Sequence, residues 1–262
     1  MHAADMTTFQ ISEAFKANRD NGLPNIAVIP FGSIEQHGPL LPLNTDCVIA
    51  QAVARELDAR EEGRLFVYPC FQYTNAESGM AFAGGLSTSH DSVRKIVKDI
   101  CHALIRRQYD MILLLDGHSP NKNDLAEVSF QIVSESFQAN EPIPVIILSL
   151  EQFYGKVAEK FDLEIGRHGD WFEAFLFRQS GGILPEGDQK AKDPFPSKIS
   201  HIPGIIGIPV QYRSVCGVIG KIGDGSDMPG RGEEIWQFLI TSVHESLKAS
   251  VFEFYKHFRP TE

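Results

Sequence analysis

The sequence predicts an α/β fold, and three observations carry that reading. Ile26 to Phe31, Met111 to Leu115 and Ile143 to Leu150 are short apolar runs of the length of buried strands. Longer stretches between them place apolar residues at helical spacing, as in Val48, Ile49, Val53, Ala54 and Leu57. Polar residues with chemistry to offer, Glu35, His37 and His118 among them, follow directly on the strand-like runs, at the carboxyl ends where open α/β sheets collect ligands. With 262 residues and 43% hydrophobic content, the chain can bury a full core as a single domain over 1–262.

In chain order, Thr7 to Asn18 reads as a short helix, broken by Asn21-Gly22-Leu23-Pro24 before the first strand, Ile26 to Phe31. A helix from about Asp46 to Arg60 and a strand from Leu65 to Cys70 come next. Phe71 to His90 is rich in Gly, Ser, Thr and Asn and has no period, the mark of a functional or disordered loop. Val93, Ile96, Val97, Ile100 and Leu104 then form a helical stripe, with Ser87, Ser89 and His90 placed to cap it. The strand Met111 to Leu115 runs into Asp116-Gly117-His118-Ser119-Pro120-Asn121, and a helix follows through Leu125, Val128, Ile132 and Val133. Ile143 to Leu150 is a strand, Gln152 to Phe161 a helix, and Asp170 opens another through Phe172, Ala174, Phe175 and Phe177. Pro185 to Pro203 is polar and Pro-rich, a surface loop or oligomer contact. Ile235, Leu239, Val243, Leu247, Val251 and Phe254 mark a long final helix.

Charge and cysteine usage narrow the partners. A formal charge of −10 without any Lys/Arg cluster argues against nucleic acid and anionic membrane. Met1 to Asn21 lacks a signal-peptide pattern, and no apolar run approaches the roughly 18 residues of a membrane span, so a cytoplasmic protein is expected. Cys47, Cys70, Cys101 and Cys216 have no C-x-x-C spacing and read as reduced thiols outside the chemistry.

The densest chemistry lies between Ile29 and Asp46. Glu35 and His37, at i and i+2 in extended chain, point to the same side, and Asp46 brings a further oxygen donor from the far end of a Pro- and Gly-rich turn. Taken singly, Asp46 or Thr45 could equally cap the helix that starts there, and Glu35 with His37 could be a solvated loop pair. No Gly-x-Ser-x-Gly elbow and no Rossmann phosphate loop is present.

Gly32-Ser33-Ile34-Glu35-Gln36-His37-Gly38-Pro39, with Leu41-Pro42-Leu43 and Thr45-Asp46, resembles the signature of the creatininase family of binuclear metal hydrolases. Gly117-His118 with Asn121 resembles that family's Gly-His-Gly-Gly-Asn element, and His168 to Glu173 its His-Ala-Gly-x-x-Glu-Thr element. Phe82 to Ser87 more faintly resembles its Phe-Pro-Gly-Thr segment, which lines the substrate site, and Cys216 to Gly220 its Gly-Val-x-Gly strand end. The resemblance implies a three-layer α/β/α sandwich around a mostly parallel sheet. It also implies metal ligands at Glu35, His37, Asp46, His118 and Glu173, with Asp46 bridging two ions, and substrate contacts at Asn121 and Ser87. Helix capping is the competing role for Asn121, and a solvated helix position for Glu173. The chain departs from the family at Leu40 and Gly79, where His is usual, at Ala83 for Pro and Gly85 for Thr, and at Pro120 and Ala174, where creatinine enzymes carry Glu and His.

The implied activity is hydrolysis of a C–N bond in a small amide, cyclic or open, by hydroxide held between two divalent ions, Zn²⁺ or Mn²⁺. His168 is the candidate for proton transfer to the leaving nitrogen, for substrate contact, or for a structural hydrogen bond. A formamide-cleaving deformylase of a pyrimidine nucleotide intermediate is an alternative whose phosphate would call on Arg167, Arg213 or Lys221. A catalytically silent oligomeric relative that binds metal for stability is another. The family's hexamer built from dimers is the expected assembly.

Overall fold

Four parallel strands form one sheet: β1 (Ile26–Phe31), β2 (Leu65–Val67), β3 (Met111–Asp116) and β4 (Val145–Ser149), in the order β2-β1-β3-β4. They belong to a computed structural model that describes residues 1–185, 214, 216–226 and 230–258, with side chains to residue 250. Ile26 pairs with Leu65 on one side and Met111 on the other, and Ile112 pairs with Val145. The helices are α1 (Thr8–Asp20), α2 (Thr45–Arg60), α3 (His90–Arg106), α4 (Lys122–Gln138), α5 (Glu151–Phe161), α6 (Trp171–Gln179) and α7 (Gly232–Phe258).

Because successive strand residues point to opposite faces, β1 and β3 feed two cores at once. Val28, Met111, Leu113 and Leu115 pack with α2, α5, α6 and α7. Ala27, Ile29, Phe31, Ile112 and Leu114 pack with α1, α3 and α4. The result is the expected three-layer α/β/α sandwich, and all four strands are parallel. A helix on each face buries every residue of β1 and β3, which is why both read as unbroken apolar runs. Replacing the fully buried Leu113 by Ala removes packing worth about 2–5 kcal/mol.

The boundaries differ from the sequence reading where tertiary contacts intervene. β2 ends at Val67, three residues short of Cys70, although Tyr68 N still donates to Val28 O at 2.9 Å. β4 is trimmed to Val145–Ser149. The 71–90 loop holds a single short 3-10 turn, Glu77–Gly79, and folds back so that Leu86 N reaches Ile34 O at 2.8 Å. From residue 186 on, the Pro185 to Pro203 expectation lies outside the described residues, as does Arg213. Among the described residues no helix is long and apolar enough to cross a membrane.

Strand order places the site. From β1 the chain crosses through α2 to β2 on one side, and from β2 it crosses through α3 to β3 on the other side of β1. The crevice at the carboxyl ends of β1 and β3 is therefore the topological switch point, and the loops that carry Glu35, His37 and His118 leave from it.

Candidate metal centre

Beyond β1 the chain turns at Gly32, and Glu35 N donates to Leu43 O at 3.1 Å, closing a loop that folds the 35–43 stretch back over the head of α2. That closure brings His37 against Asp46, with Nε2 2.9 Å from Oδ1. From the end of β3, His118 places Nδ1 2.8 Å from Glu35 Oε1 and 3.0 Å from Asp46 Oδ2. Glu173, in the first turn of α6, completes a third side of the cluster. Three overlapping groups, Glu35 with Asp46 and His118, His37 with Asp46 and Glu173, and Glu35 with His37 and His168, each hold their donor atoms within 4.8 Å of one another.

Local chemistry explains these placements. Asp46 does not cap α2, since Asn44 is the N-cap and no side chain closes that end; its carboxylate turns inward to the two imidazoles. Asp170 caps α6, accepting from Phe172 N at 3.1 Å and Glu173 N at 3.2 Å, which sets the rotation that presents Glu173. One Glu173 oxygen accepts from Gly169 N at 2.5 Å. Gly169 has φ +63°, and a Cβ there would lie 2.8 Å from His37 O, so this turn can approach His37 only without a side chain. Asp116 holds the loop after β3, accepting from His118 N at 3.1 Å.

The electrostatics are those of buried carboxylates balanced against imidazoles. Glu35, His37, Asp46 and His118 are each 3% exposed or less, too buried for a carboxylate to stay ionised without a cation beside it. Burial alone would lower His37, yet the Asp46 carboxylate raises it to about 10. For His118 burial is likewise overcome by Glu35 and Asp46, and its pKa stands well above the ordinary imidazole value. Burial would raise Asp46 and Glu35, but the imidazoles hold both below the usual carboxylate range. Glu173 is pushed up to about 8 by burial, against the pull of His37.

The residues fit a metal. Asp46 Oδ2 is buried and accepts no hydrogen bond, although His118 Nδ1 lies 3.0 Å away. Each imidazole has its other nitrogen at a backbone carbonyl, His37 Nδ1 at Glu35 O (3.1 Å) and His118 Nε2 at Asn75 O (3.0 Å). A proton donated to that carbonyl leaves the inward nitrogen as a lone pair, the arrangement metal-ligating histidines use. A donor set of nitrogen and carboxylate oxygen without thiolate suits zinc or manganese.

His168 joins the cluster edge, with Nδ1 3.8 Å from Glu35 Oε1 and its ring 4.7 Å from that of His37. Its Nε2 meets Gln36 O at 2.7 Å and Gln36 Nε2 at 2.9 Å, so Gln36 occupies one nitrogen and the other faces the carboxylates. Burial lowers its pKa, in contrast to the other two histidines. Asn121 is fully buried and donates to Gly32 O at 3.5 Å and Asp116 Oδ1 at 3.4 Å, and its side chain does not cap α4. Ser87 Oγ accepts from Ala76 N at 3.1 Å, and Ser89 is the residue that caps α3. Neither Asn121 nor Ser87 lines the cavity of about 180 Å³ above the cluster; Ser78, Ser119, Glu151 and Arg167 do. Arg167 was named in the sequence reading only as a partner for phosphate, whereas Ser78, Ser119 and Glu151, the carbonyl of Asn75 and the contact of Gln36 with His168 escaped it. Only the position of Ser119 directly after His118 offered any signal for one of them.

Comparison with known proteins adds a frame to this geometry. The sequence model of the family described as creatininase, creatinine amidohydrolase, matches residues 4–246. A protein of Mycobacterium ulcerans (strain Agy99) named mycofactocin precursor peptide peptidase is 32% identical over 124 residues, 43% of this chain and 47% of that protein. The creatinine amidohydrolase of Pseudomonas putida is 26% identical over 167 residues, 58% of this chain and 62% of that protein. The chain thus spans about half the length of these curated relatives. A crystal structure of creatinine amidohydrolase superposes with a TM-score of 0.77 at 20% identity, covering 99% of this chain and 98% of that one. Other solved relatives are titled as a zinc-zinc type and a manganese creatininase, with TM-scores of 0.75 and 0.77 at 20% and 19% identity. At such identity the likeness carries the fold.

Proposed function

This chain belongs to the creatininase family, and on that premise we propose that it is a metal-dependent amidohydrolase cleaving the C–N bond of a small amide. The observation that carries the reading is Asp46, whose two carboxylate oxygens face two different imidazoles, Oδ1 toward His37 and Oδ2 toward His118. A carboxylate between two cations needs that arrangement. Glu35 and His118 would hold one divalent ion and His37 and Glu173 the other, zinc or manganese, with Asp46 shared. Bound there, such ions supply Lewis acidity toward a carbonyl and a water acidified to a pKa of roughly 7.

The chain's own residues divide the remaining work. Glu35 O and Asn75 O hold the N–H of His37 and His118 outward, so that with an ion bound each imidazole would turn a lone pair to it. Gln36 engages His168 Nε2 and is itself fixed, its amide donating to Gly217 O at 3.0 Å and accepting from Gly38 N at 3.0 Å. His168 Nδ1 is left facing the carboxylates, where it can pass a proton to the departing nitrogen.

Pro120 and Ala174 stand where the resemblance implies groups used on creatinine, which favours a different amide. Cleavage of a peptide amide is a second reading, supported by the aligned relatives named as peptidases. A nucleotide deformylase is less well supported, because Lys221 is exposed and does not line the cavity, leaving Arg167 as its one guanidinium or ammonium among the described residues. The hexameric form belongs to the same proposal; exposed Phe130 and Ile183 are apolar surface that an interface would cover. The test is elemental analysis of protein purified without chelator, followed by an amide screen. Two ions per chain and turnover support the reading, ions without turnover favour the silent relative, and no ions overturn it.

A further inference from the structure

We infer that the amide acted on at this site carries a carboxylate and an apolar side chain on its amine half, held by Arg167 and by a second chamber beside the metal cluster. The inference deepens the amidohydrolase reading and rests on it.

The cavity of about 180 Å³ above Asp46 adjoins another of about 320 Å³, and the two share Glu151, Arg167 and Glu173 as walls. One side of the second chamber is apolar, formed by Tyr154, Ala158, Ile165 and Phe172, with the Tyr154 and Phe172 rings edge to face at 5.2 Å, and Asp170 joins the shared Glu151, Arg167 and Glu173 on the polar side. A chamber larger than the reaction cavity, with an apolar side, would stay empty over a small ring such as creatinine. It fits the side chain of an amino acid whose amide nitrogen lies over the cluster.

Arg167 is set for an anion. Its backbone N donates to Ile219 O at 2.7 Å, beside the bridge between His168 and Ile219, so the chain carrying it is pinned at the rim. Its guanidinium is exposed and makes no hydrogen bond or ion pair among the described residues, although Glu151 shares the same wall. No other Arg or Lys lines either cavity among the described residues. One guanidinium matches one carboxylate through paired N–H bonds. Beside Glu151, which shares the wall of Arg167, a phosphate dianion would meet more repulsion than a carboxylate monoanion. Because Arg167 lines both cavities, a carboxylate on the carbon bonded to the scissile nitrogen would meet it at the shared wall with the carbonyl over the cluster. The reaction is R–CO–NH–CHR′–COO⁻ + H₂O → R–COO⁻ + ⁺H₃N–CHR′–COO⁻; the C–N bond breaks, water supplies the new C–O bond, and its protons end on nitrogen.

The experiment titrates zinc-loaded protein calorimetrically with N-acetylphenylalanine, its carboxamide, N-acetylglycine and inorganic phosphate. The variants are Arg167→Ala, Arg167→Lys and Ala158→Phe, with bound zinc counted in each sample. The acid should bind the natural protein about tenfold or more tighter than the carboxamide. Arg167→Ala should abolish that ratio and Arg167→Lys keep part of it, while Ala158→Phe should weaken the phenylalanine compound but not the glycine one. Two ions bound without an Arg167-dependent preference, or phosphate binding tighter than the acid, would overturn this inference and leave the amidohydrolase reading standing. Protein that binds no zinc overturns both.

Discussion

Asp46 and His118 face each other at 3.0 Å, Oδ2 to Nδ1, both buried at the floor of the cavity, and that carboxylate oxygen makes no well-formed hydrogen bond. A contact of that kind between a buried carboxylate and an inward-facing imidazole is better satisfied by a cation between them than by a proton. If the site holds two ions as proposed, replacing Asp46 by Asn should cut metal content toward none. Activity should fall more than the roughly 10–100-fold typical of losing an outer-shell partner. Elemental analysis and circular dichroism on the same sample check it; two ions retained in folded protein would reduce Asp46 to a structural residue.

In the metal-free protein His37 titrates at about 10 and its unfolded value is near 6.5. The native state then binds more protons than the unfolded one between these values. The stabilisation is fully present below about pH 6.5 and is lost as pH rises through about 10. Denaturant melts of chelated protein should weaken across that window by on the order of a few kcal/mol. Zinc displaces the same protons, so its affinity should rise with pH over the window, and calorimetry in buffers of different ionisation enthalpy should register proton release on binding. A chelated protein whose stability is flat from pH 6 to 9 would contradict the pairing of His37 with Asp46.

His168 meets Gln36 through Nε2 and leaves Nδ1 toward the carboxylates. His168→Gln should retain bound metal while kcat drops about 10²–10⁴-fold with little change in KM. Loss of metal in parallel with activity would make His168 a ligand instead.

Gly169 combines φ +63° with a Cβ position 2.8 Å from His37 O. Gly169→Ala should cost about 1–3 kcal/mol in chemical denaturation and also weaken zinc binding, because relief of the clash must move the His37 backbone. A neutral substitution would mean that the turn relaxes freely.

Creatinine should be turned over poorly or not at all, since Pro120 and Ala174 replace the Glu and His that the family's creatinine enzymes carry. Steady-state kinetics beside a dedicated creatininase decides this.

Much of this protein could be read in its residues alone. Apolar runs at Ile26–Phe31 and Met111–Leu115 declared the buried strands β1 and β3, because strands covered on both faces have no polar side to show. The i, i+2 spacing of Glu35 and His37 and the position of His118 after a strand marked candidate donors, because those relations are local to the chain. Other questions were left to the tertiary structure. Asp46 could be cap or ligand from sequence, and only the loop closure between Glu35 and Leu43 turns its carboxylate to two imidazoles. Asn75 carried no motif, and although Gln36 lay inside the signature and Arg167 directly before His168, their contacts could not be read from it, since the partners stand 43, 132 and 52 residues away, at His118, His168 and Ile219. Such pairings depend on the crossovers that bring the ends of β1 and β3 and the start of α6 to one crevice, and nothing in local spacing encodes which distant backbone atom will arrive there.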